Sequence, residues 1–232
     1  MLSELLLKDV RFREGLTACM NCGICTAICP AAEFYKYDPR QICVTVQSKD
    51  EKKIEQLLRS ETIWYCGQCM SCKPRCPRGN IPGLIITVLR KLSQELGYFT
   101  ESEKGRQQFA IKRVVGGCIL ETGYCVHPEV IAPENHPEQG PVWKWYCDNL
   151  EEVVDRVGGN YKKDGPGALR MIREDNLEEI RHIFEITGGN DLHEHIESFS
   201  LENAEKMGFT DEEADKDYQD HVYTANRNEH QK

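Results

Sequence analysis

Two cysteine runs with the same spacing dominate the chemistry that this sequence could perform. Eight of the twelve cysteines fall into the pattern C-x2-C-x2-C-x3-C-P, which occurs at residues 19–30 and again at 66–77. Ferredoxins that bind two [4Fe–4S] clusters use this spacing. The sequence therefore predicts two such clusters held by cysteine thiolates.

The fourth cysteine of each run is expected to serve the other run. Three thiolates two residues apart on a tight loop can reach three irons of one cubane, whereas the fourth follows a further turn and a proline redirects the chain after it. We therefore predict two crossed ligand sets, in which cluster binding is coupled to folding. The sets are Cys19, Cys22, Cys25 and Cys76 for the first cluster, and Cys66, Cys69, Cys72 and Cys29 for the second.

Zinc and disulfides are the alternatives for these eight cysteines. All-thiolate zinc sites usually pair two C-x2-C knuckles, which fits two four-cysteine runs poorly. The N-terminus has no basic start and carries Glu4 within its apolar stretch, so it does not resemble a secretory signal. We therefore expect a cytoplasmic protein, in a compartment that keeps thiols reduced.

Four cysteines lie outside the runs, and no motif assigns chemistry to them. Cys43 lies in an apolar helical stretch and is predicted to be a core thiol. A third metal site could combine the others with His127 or His136, but the spacing gives it no support. These other cysteines are Cys118, Cys125 and Cys147. Because no Ser-His-Asp set, phosphate loop or dinucleotide motif is evident, we predict no catalytic residue.

Charged and aromatic residues near the second run are candidates for influencing a cluster. Lys73, Arg75 and Arg78 could raise a reduction potential by stabilising the more negative reduced form, or could simply face solvent. Trp64 and Tyr65 precede Cys66 and are expected to shield a cluster from water.

Charge divides the 232-residue chain into two parts. Residues 1–100 carry a net charge of +4 and residues 101–232 a net charge of −13, which together give −9. An acidic chain argues against nucleic-acid binding, which needs clustered basic residues. No apolar run approaches the roughly 20 residues of a membrane helix, so no integral membrane segment is predicted.

The pattern of caps and apolar residues predicts a mainly α protein. Asp38 and Pro39 mark one helix start, Ser48 to Glu51 is typical of a capping box, and Asn80 to Pro82 opens another helix. We predict a two-cluster domain over 1–100 and an acidic extension over 101–232. The predicted extension comprises a proline-rich connector at about 116–145, helices at about 148–157 and 167–187, and a polar tail from about 218.

With the motifs placed among helices, residues 9–100 resemble the C subunit of heterodisulfide reductase, in the alpha-helical ferredoxin group. The matching features are Cys19-Met-Asn-Cys-Gly-Ile-Cys-Thr-Ala-Ile-Cys-Pro30, Asp38-Pro-Arg-Gln41 and Trp64-Tyr-Cys-Gly-Gln-Cys-Met-Ser-Cys-Lys-Pro-Arg-Cys-Pro-Arg78. The resemblance implies a helical ferredoxin domain whose two [4Fe–4S] clusters pass electrons to a B-like subunit of heterodisulfide reductase that performs disulfide chemistry. It also implies a flavin-containing A-like subunit as a partner.

The acidic extension looks like that of the longer C subunits in the heterodisulfide-reductase-like complexes of sulfur oxidisers. It is expected to be a docking arm for partner subunits. The alternatives are a freestanding ferredoxin, an assembly factor, or the iron–sulfur subunit of a dehydrogenase for 2-hydroxy acids or succinate. Which polypeptides co-purify with the chain would discriminate among them.

Overall fold

Helices form every regular element that the structure describes. The computed structural model describes residues 1–131, 133–135, 139–210 and 213–224. All regular elements in these ranges are helical, which confirms the predicted mainly α class. The chain divides into two compact units, Met1–Arg106 and Gln107–Lys232, called unit 1 and unit 2 below.

Unit 1 is organised around one apolar helix. Its α-helices are α1 (Leu2–Lys8), α2 (Val10–Gly15), α3 (Ile24–Ala27), α4 (Ala31–Phe34), α5 (Pro39–Gln47), α6 (Glu51–Arg59) and α7 (Pro82–Glu95). Short 3-10 turns lie at Glu61–Tyr65, Lys73–Arg75 and Tyr98–Glu101. Helix α7 packs against α2, α5 and α6, and Ile85, Ile86 and Leu89 on its buried face are fully enclosed. Each such side chain contributes about 1.5–3 kcal/mol of burial free energy.

Of two helix starts predicted from the sequence, the structure confirms one and corrects the capping residue of the other. The Asp38 carboxylate accepts a hydrogen bond from the Gln41 N–H and Pro39 is the first residue of α5, which confirms that start. The predicted box at Ser48 is wrong, because Ser48 ends α5 and the Asp50 carboxylate caps α6 by accepting from the Lys53 N–H. Asp50 directly precedes the helix, where a side-chain oxygen can satisfy a free N–H.

The described part of unit 2 consists of helices joined by loops and has its own small core. Its helices are the C-terminal part of α8 (Glu103–Ile111), a π-helical turn Lys112–Gly116, α9 (Gly117–Thr122), α10 (Gly140–Asp148), α11 (Leu150–Arg156), α12 (Glu174–Ile186), α13 (Gly189–Met207) and α14 (Ala214–Thr224), with 3-10 turns at Pro128–Val130 and Pro133–Asn135. Phe109 and Tyr218, fully buried, pack with their ring centroids 5.4 Å apart.

The extension differs from its predicted organisation in three places. The segment at about 116–145 includes α9 and α10, and the helix predicted over 167–187 begins only at Glu174. The predicted polar tail is wrong for residues 218–224, which lie in α14 with Tyr218 and Val222 buried. These two residues are one helical turn apart, so an otherwise polar segment still has an apolar edge. Residues 225–232 lie outside the described ranges.

No helix in the described ranges has the length and apolar character that crossing a bilayer requires.

Candidate metal centre

The eight cysteines of the two runs line two adjacent cavities in unit 1. The first cavity, about 20 Å³, is lined by Cys19, Cys22, Cys25, Cys43 and Cys76. The second cavity, about 250 Å³, is lined by Cys25, Cys29, Cys66, Cys69 and Cys72. The fourth cysteine of each run therefore lies at the cavity of the other run, and Cys25 borders both.

All twelve cysteines are free thiols, and the four outside the runs are dispersed. Cys43 and Cys118 are buried, Cys147 is half-buried and Cys125 is exposed. Across the described residues, no three His, Cys, Asp or Glu side chains converge on the position of a single metal ion. His127 is buried and its Nδ1 accepts from the Glu129 N–H, which is a structural role, while His136 lies outside the described ranges.

The two loops share an unusual backbone conformation. Asn21 and Gly23 in the first loop have positive φ angles, and Gln68 and Met70 have them at the corresponding positions of the second. For a residue other than glycine this conformation costs roughly 1–2 kcal/mol. Strained backbone of this kind is kept where the surroundings enforce it, often at a functional site.

Side-chain amides fix the first loop to the rest of unit 1. Asn80, which is 3 % exposed, accepts from the Thr17 N–H at 2.8 Å and donates to the Ala18 carbonyl at 3.0 Å. The Gln47 amide likewise pairs with the backbone of Cys19, accepting from its N–H at 2.5 Å and donating to its carbonyl at 3.2 Å. Residues at the end of α5 and directly after the second run thus position the first run.

A buried cation and a helix start fix the second loop. The Arg90 guanidinium donates to the carbonyls of Ile63, Trp64 and Cys66 at 2.6–2.9 Å. At the start of α7, a Cβ on Gly83 would lie 2.7 Å from the Met70 sulfur and 4.0 Å from the Cys72 sulfur. The positive end of α7 and the close approach at Gly83 suit a negatively charged group.

The pKa values of the thiols at these cavities are shifted in different directions. Burial raises the pKa of Cys25 to about 11 and raises the pKa of Cys72. Hydrogen bonding with Ser71 lowers the pKa of Cys69. A coordinated metal deprotonates a thiol outright, so bound iron would hold Cys25 and Cys72 as thiolates at neutral pH.

Two buried donors at the cavities lack a hydrogen-bond partner among the described residues. They are the Tyr37 hydroxyl, at the second cavity, and the Arg40 Nε, at the first. The sulfurs of an iron–sulfur cluster accept such bonds, so these donors together with the thiols fit [4Fe–4S] clusters. Sequence reasoning missed both, since the pattern around Arg40 indicates only a helix start and Tyr37 lies in no motif.

The residues expected to influence a cluster divide into two groups. Tyr65 lines the second cavity and Arg78 lines the first. Lys73 and Arg75 are exposed and are not among the residues lining either cavity, which favours the solvent-facing alternative for them. Trp64 is 8 % exposed and packs at 5.5 Å from the Arg90 guanidinium.

Comparison with known proteins places this geometry in a family. Residues 15–80 match the model of the 4Fe–4S dicluster domain. The chain is 44 % identical to the C subunit of ferredoxin:CoB-CoM heterodisulfide reductase from Methanosarcina acetivorans over 109 residues, which cover 43 % of this chain and 42 % of that protein. The 4Fe–4S dicluster match confirms the predicted pair of clusters.

Two further relatives are matched over longer stretches. The chain is 31 % identical to the iron–sulfur C subunit of CoB–CoM heterodisulfide reductase from Methanopyrus kandleri, covering 67 % of this chain and 79 % of that protein. It is 33 % identical to the C subunit of the ferredoxin/F(420)H(2)-dependent CoB-CoM heterodisulfide reductase from Methanosarcina acetivorans, covering 67 % of this chain and 85 % of that protein. Both matches are longer than unit 1, so they include part of unit 2. The chain belongs to the family of heterodisulfide reductase C subunits and binds two [4Fe–4S] clusters.

Proposed function

We propose that this chain is the electron-transfer iron–sulfur subunit of a heterodisulfide-reductase-type complex. When bound, its clusters accept and release single electrons. The observation that carries the proposal is the pair of adjacent cysteine-lined cavities, each with one exposed cysteine, Cys22 at the first and Cys69 at the second. Two adjacent sites that both reach the surface give electrons a way in and a way out.

The proposed ligands are the crossed sets. Cys76 joins Cys19, Cys22 and Cys25, and Cys29 joins the second run. The lining of the two cavities supports this assignment, because each fourth cysteine borders the cavity of the other run.

The chain's own residues hold and insulate the clusters and perform no bond chemistry. Asn80, Gln47 and Arg90 fix the loop backbones. Tyr65 and Ile86 line the second cavity and keep water from it. A relay needs no catalytic residue, and none is assigned.

The proposed partners are a B-like subunit of heterodisulfide reductase, which converts disulfide or sulfur compounds, and a flavin-containing A-like subunit, in the cytoplasm. Exposed apolar side chains beside the clusters support docking there. Met20 (61 % exposed) and Ile24 (39 %) line the first cavity, and Phe34 (79 %) lines the second. Exposed apolar groups of this kind are typical of protein interfaces.

Unit 2 is proposed to dock on the same complex. Helix α10 exposes Val142 and Trp145, at 73 % and 54 %, on an otherwise acidic extension. Because the extension adds an acidic helical unit to the cluster domain, a second candidate is the heterodisulfide-reductase-like complex of sulfur oxidisers, in which a lipoate-carrying protein would be found with the complex.

Native co-purification tests both the function and its branch. The tagged full-length protein, isolated anaerobically, should retain the B-like and A-like subunits. Its dithionite-reduced clusters should be reoxidised by the isolated B-like subunit. Elution at its own mass would indicate a freestanding ferredoxin, and capture of a 2-hydroxy-acid or succinate dehydrogenase would contradict the proposal.

Trp145→Ala tests the docking of unit 2. This variant should retain about eight iron per chain, as two [4Fe–4S] clusters require, but lose most of the co-purifying subunits. An unchanged complex would show that α10 is not an interface.

A further inference from the structure

The Tyr37 hydroxyl is a buried donor at the second cavity for which the described protein offers no well-formed partner. Tyr37 is 4 % exposed, and its ring meets Tyr65 edge-on with the centroids 6.2 Å apart. A buried phenol normally finds a hydrogen-bond partner, because an unsatisfied hydroxyl is costly. The Trp64 Nε1 is also buried and unpaired, but Trp64 is not among the residues that line either cavity.

The surroundings of this hydroxyl are sulfur ligands. Tyr37 lines the same cavity as Cys29, Cys66 and Cys69. A phenol has an ordinary pKa of about 10, so the hydroxyl keeps its proton and is a donor at neutral pH.

We infer that the Tyr37 hydroxyl donates a hydrogen bond to a sulfur of the second cluster and thereby raises that cluster's reduction potential. The inference rests on the proposed ligand sets. Reduction adds one negative charge to the cluster, and a hydrogen bond to the more negative form is the stronger one. The donor therefore favours the reduced cluster.

The test is a redox titration of the full-length Tyr37→Phe protein, followed by electron paramagnetic resonance. The ratio of reduced to oxidised second cluster at a fixed potential should fall about tenfold, which for a one-electron couple is about 59 mV. The reduction potential of the first cluster should not change, so the first cluster is an internal control. Cys69→Ser and Cys22→Ser proteins, each lacking one signal, identify which signal belongs to which cluster.

A matched variant separates this effect from the mere loss of a phenol. Tyr98→Phe removes a hydroxyl from the same unit, where the Tyr98 ring lies under Arg59 at 4.0 Å and away from both cavities. It should leave both potentials unchanged. Equal shifts in Tyr98→Phe, or a shift confined to the first cluster in Tyr37→Phe, would overturn the inference.

A measurement on the unaltered protein keeps the inference testable if Tyr37→Phe does not assemble. Electron–nuclear double resonance of the reduced second cluster, in H2O and in D2O, should reveal one strongly coupled exchangeable proton that is absent at the first cluster. Its absence would refute the hydrogen bond. A Cys29→Ser protein that lost the signal abolished by Cys22→Ser, and kept the signal abolished by Cys69→Ser, would instead contradict the proposed ligand sets, so the two failures are distinct.

Discussion

The two cysteine sites of unit 1 share a ligand frame but have different surroundings. Both loops have the same spacing and the same left-handed backbone positions. The first site is bordered by the cations Arg40 and Arg78, whereas the second is bordered by Tyr37 and Tyr65. The repeated spacing indicates which cofactor binds, whereas the groups that influence a cluster's potential and its exposure to water differ between the two sites.

The side chains that hold the two cysteine loops in place also differ between the sites. Neutral amides of Asn80 and Gln47 hold the first loop, and the buried guanidinium of Arg90 holds the second. Arg90 forms no ion pair with a described carboxylate, and burial lowers its pKa. A buried cation beside the second cluster would offset part of the negative charge of the thiolates and the cluster.

Removal of a fourth ligand should have the largest effect and tests whether the two sites are interlocked. We expect Cys76→Ser to abolish the same resonance signal as Cys22→Ser and to lower the iron content from about eight to about four per chain. Cys43→Ser is the control, because Cys43 borders the first cavity but belongs to neither ligand set. If Cys76→Ser abolished the signal that Cys69→Ser abolishes, the ligands would not be crossed.

Loss of the buried cation should be the next largest effect. Arg90→Gln leaves up to three carbonyls without a donor, each costing about 1–3 kcal/mol, so we expect about 3 kcal/mol of destabilisation and release of the second cluster first. Thermal unfolding measures the destabilisation, and the absorbance of the clusters measures their release. Arg59→Gln removes a half-buried cation that pairs with Glu55 and Glu101, where water can replace the lost contacts, and should cost less than Arg90→Gln. Equal losses in the two variants would refute the special role of Arg90.

The stability lost on removing an amide side chain that holds the first loop should depend on how buried that side chain is. Asn80→Ala removes two buried hydrogen bonds and should destabilise unit 1 by about 1–3 kcal/mol, with the first cluster lost earlier on heating. Gln47→Ala removes two similar bonds at an exposed position, where water replaces them, and should cost less. A larger cost for Gln47→Ala would show that burial does not control the anchoring.

The smallest effect should come from the cation at the first site. Arg40 lines the first cavity, and its buried Nε has no partner among the described residues. Because Arg40→Gln removes this positive charge, we expect a slightly lower reduction potential for the first cluster alone. Its side chain is 36 % exposed and pairs with Asp38 at 2.7 Å, so screening keeps the shift below that of Tyr37→Phe. Arg40→Lys keeps the charge and should therefore retain most of the original reduction potential. An unchanged potential in both variants would show that Arg40 does not influence the first cluster.

Features encoded within a few residues of one another could be predicted from the sequence. The cysteine spacing identified the cofactor, and Asp38 with Pro39 identified a helix start, because both depend only on local geometry. Local competition caused the failure at Ser48, since Asp50 supplies the better-placed oxygen. Composition misled at 218–224, where the polar residues concealed the buried edge formed by Tyr218 and Val222.

By itself, the sequence determined that two clusters bind and predicted which thiols hold them. Only the tertiary structure placed Tyr37, Arg40 and Arg90 around them, because these contacts join segments that are distant in sequence. The Arg90 guanidinium, for example, reaches a carbonyl 24 residues earlier, and Asn80 reaches one 62 residues earlier. Such contacts follow from how α7 packs against its neighbours, which no short spacing encodes. The spacing that identifies the cofactor is therefore a local property of this chain, whereas the groups that surround the two cavities are brought there by the fold.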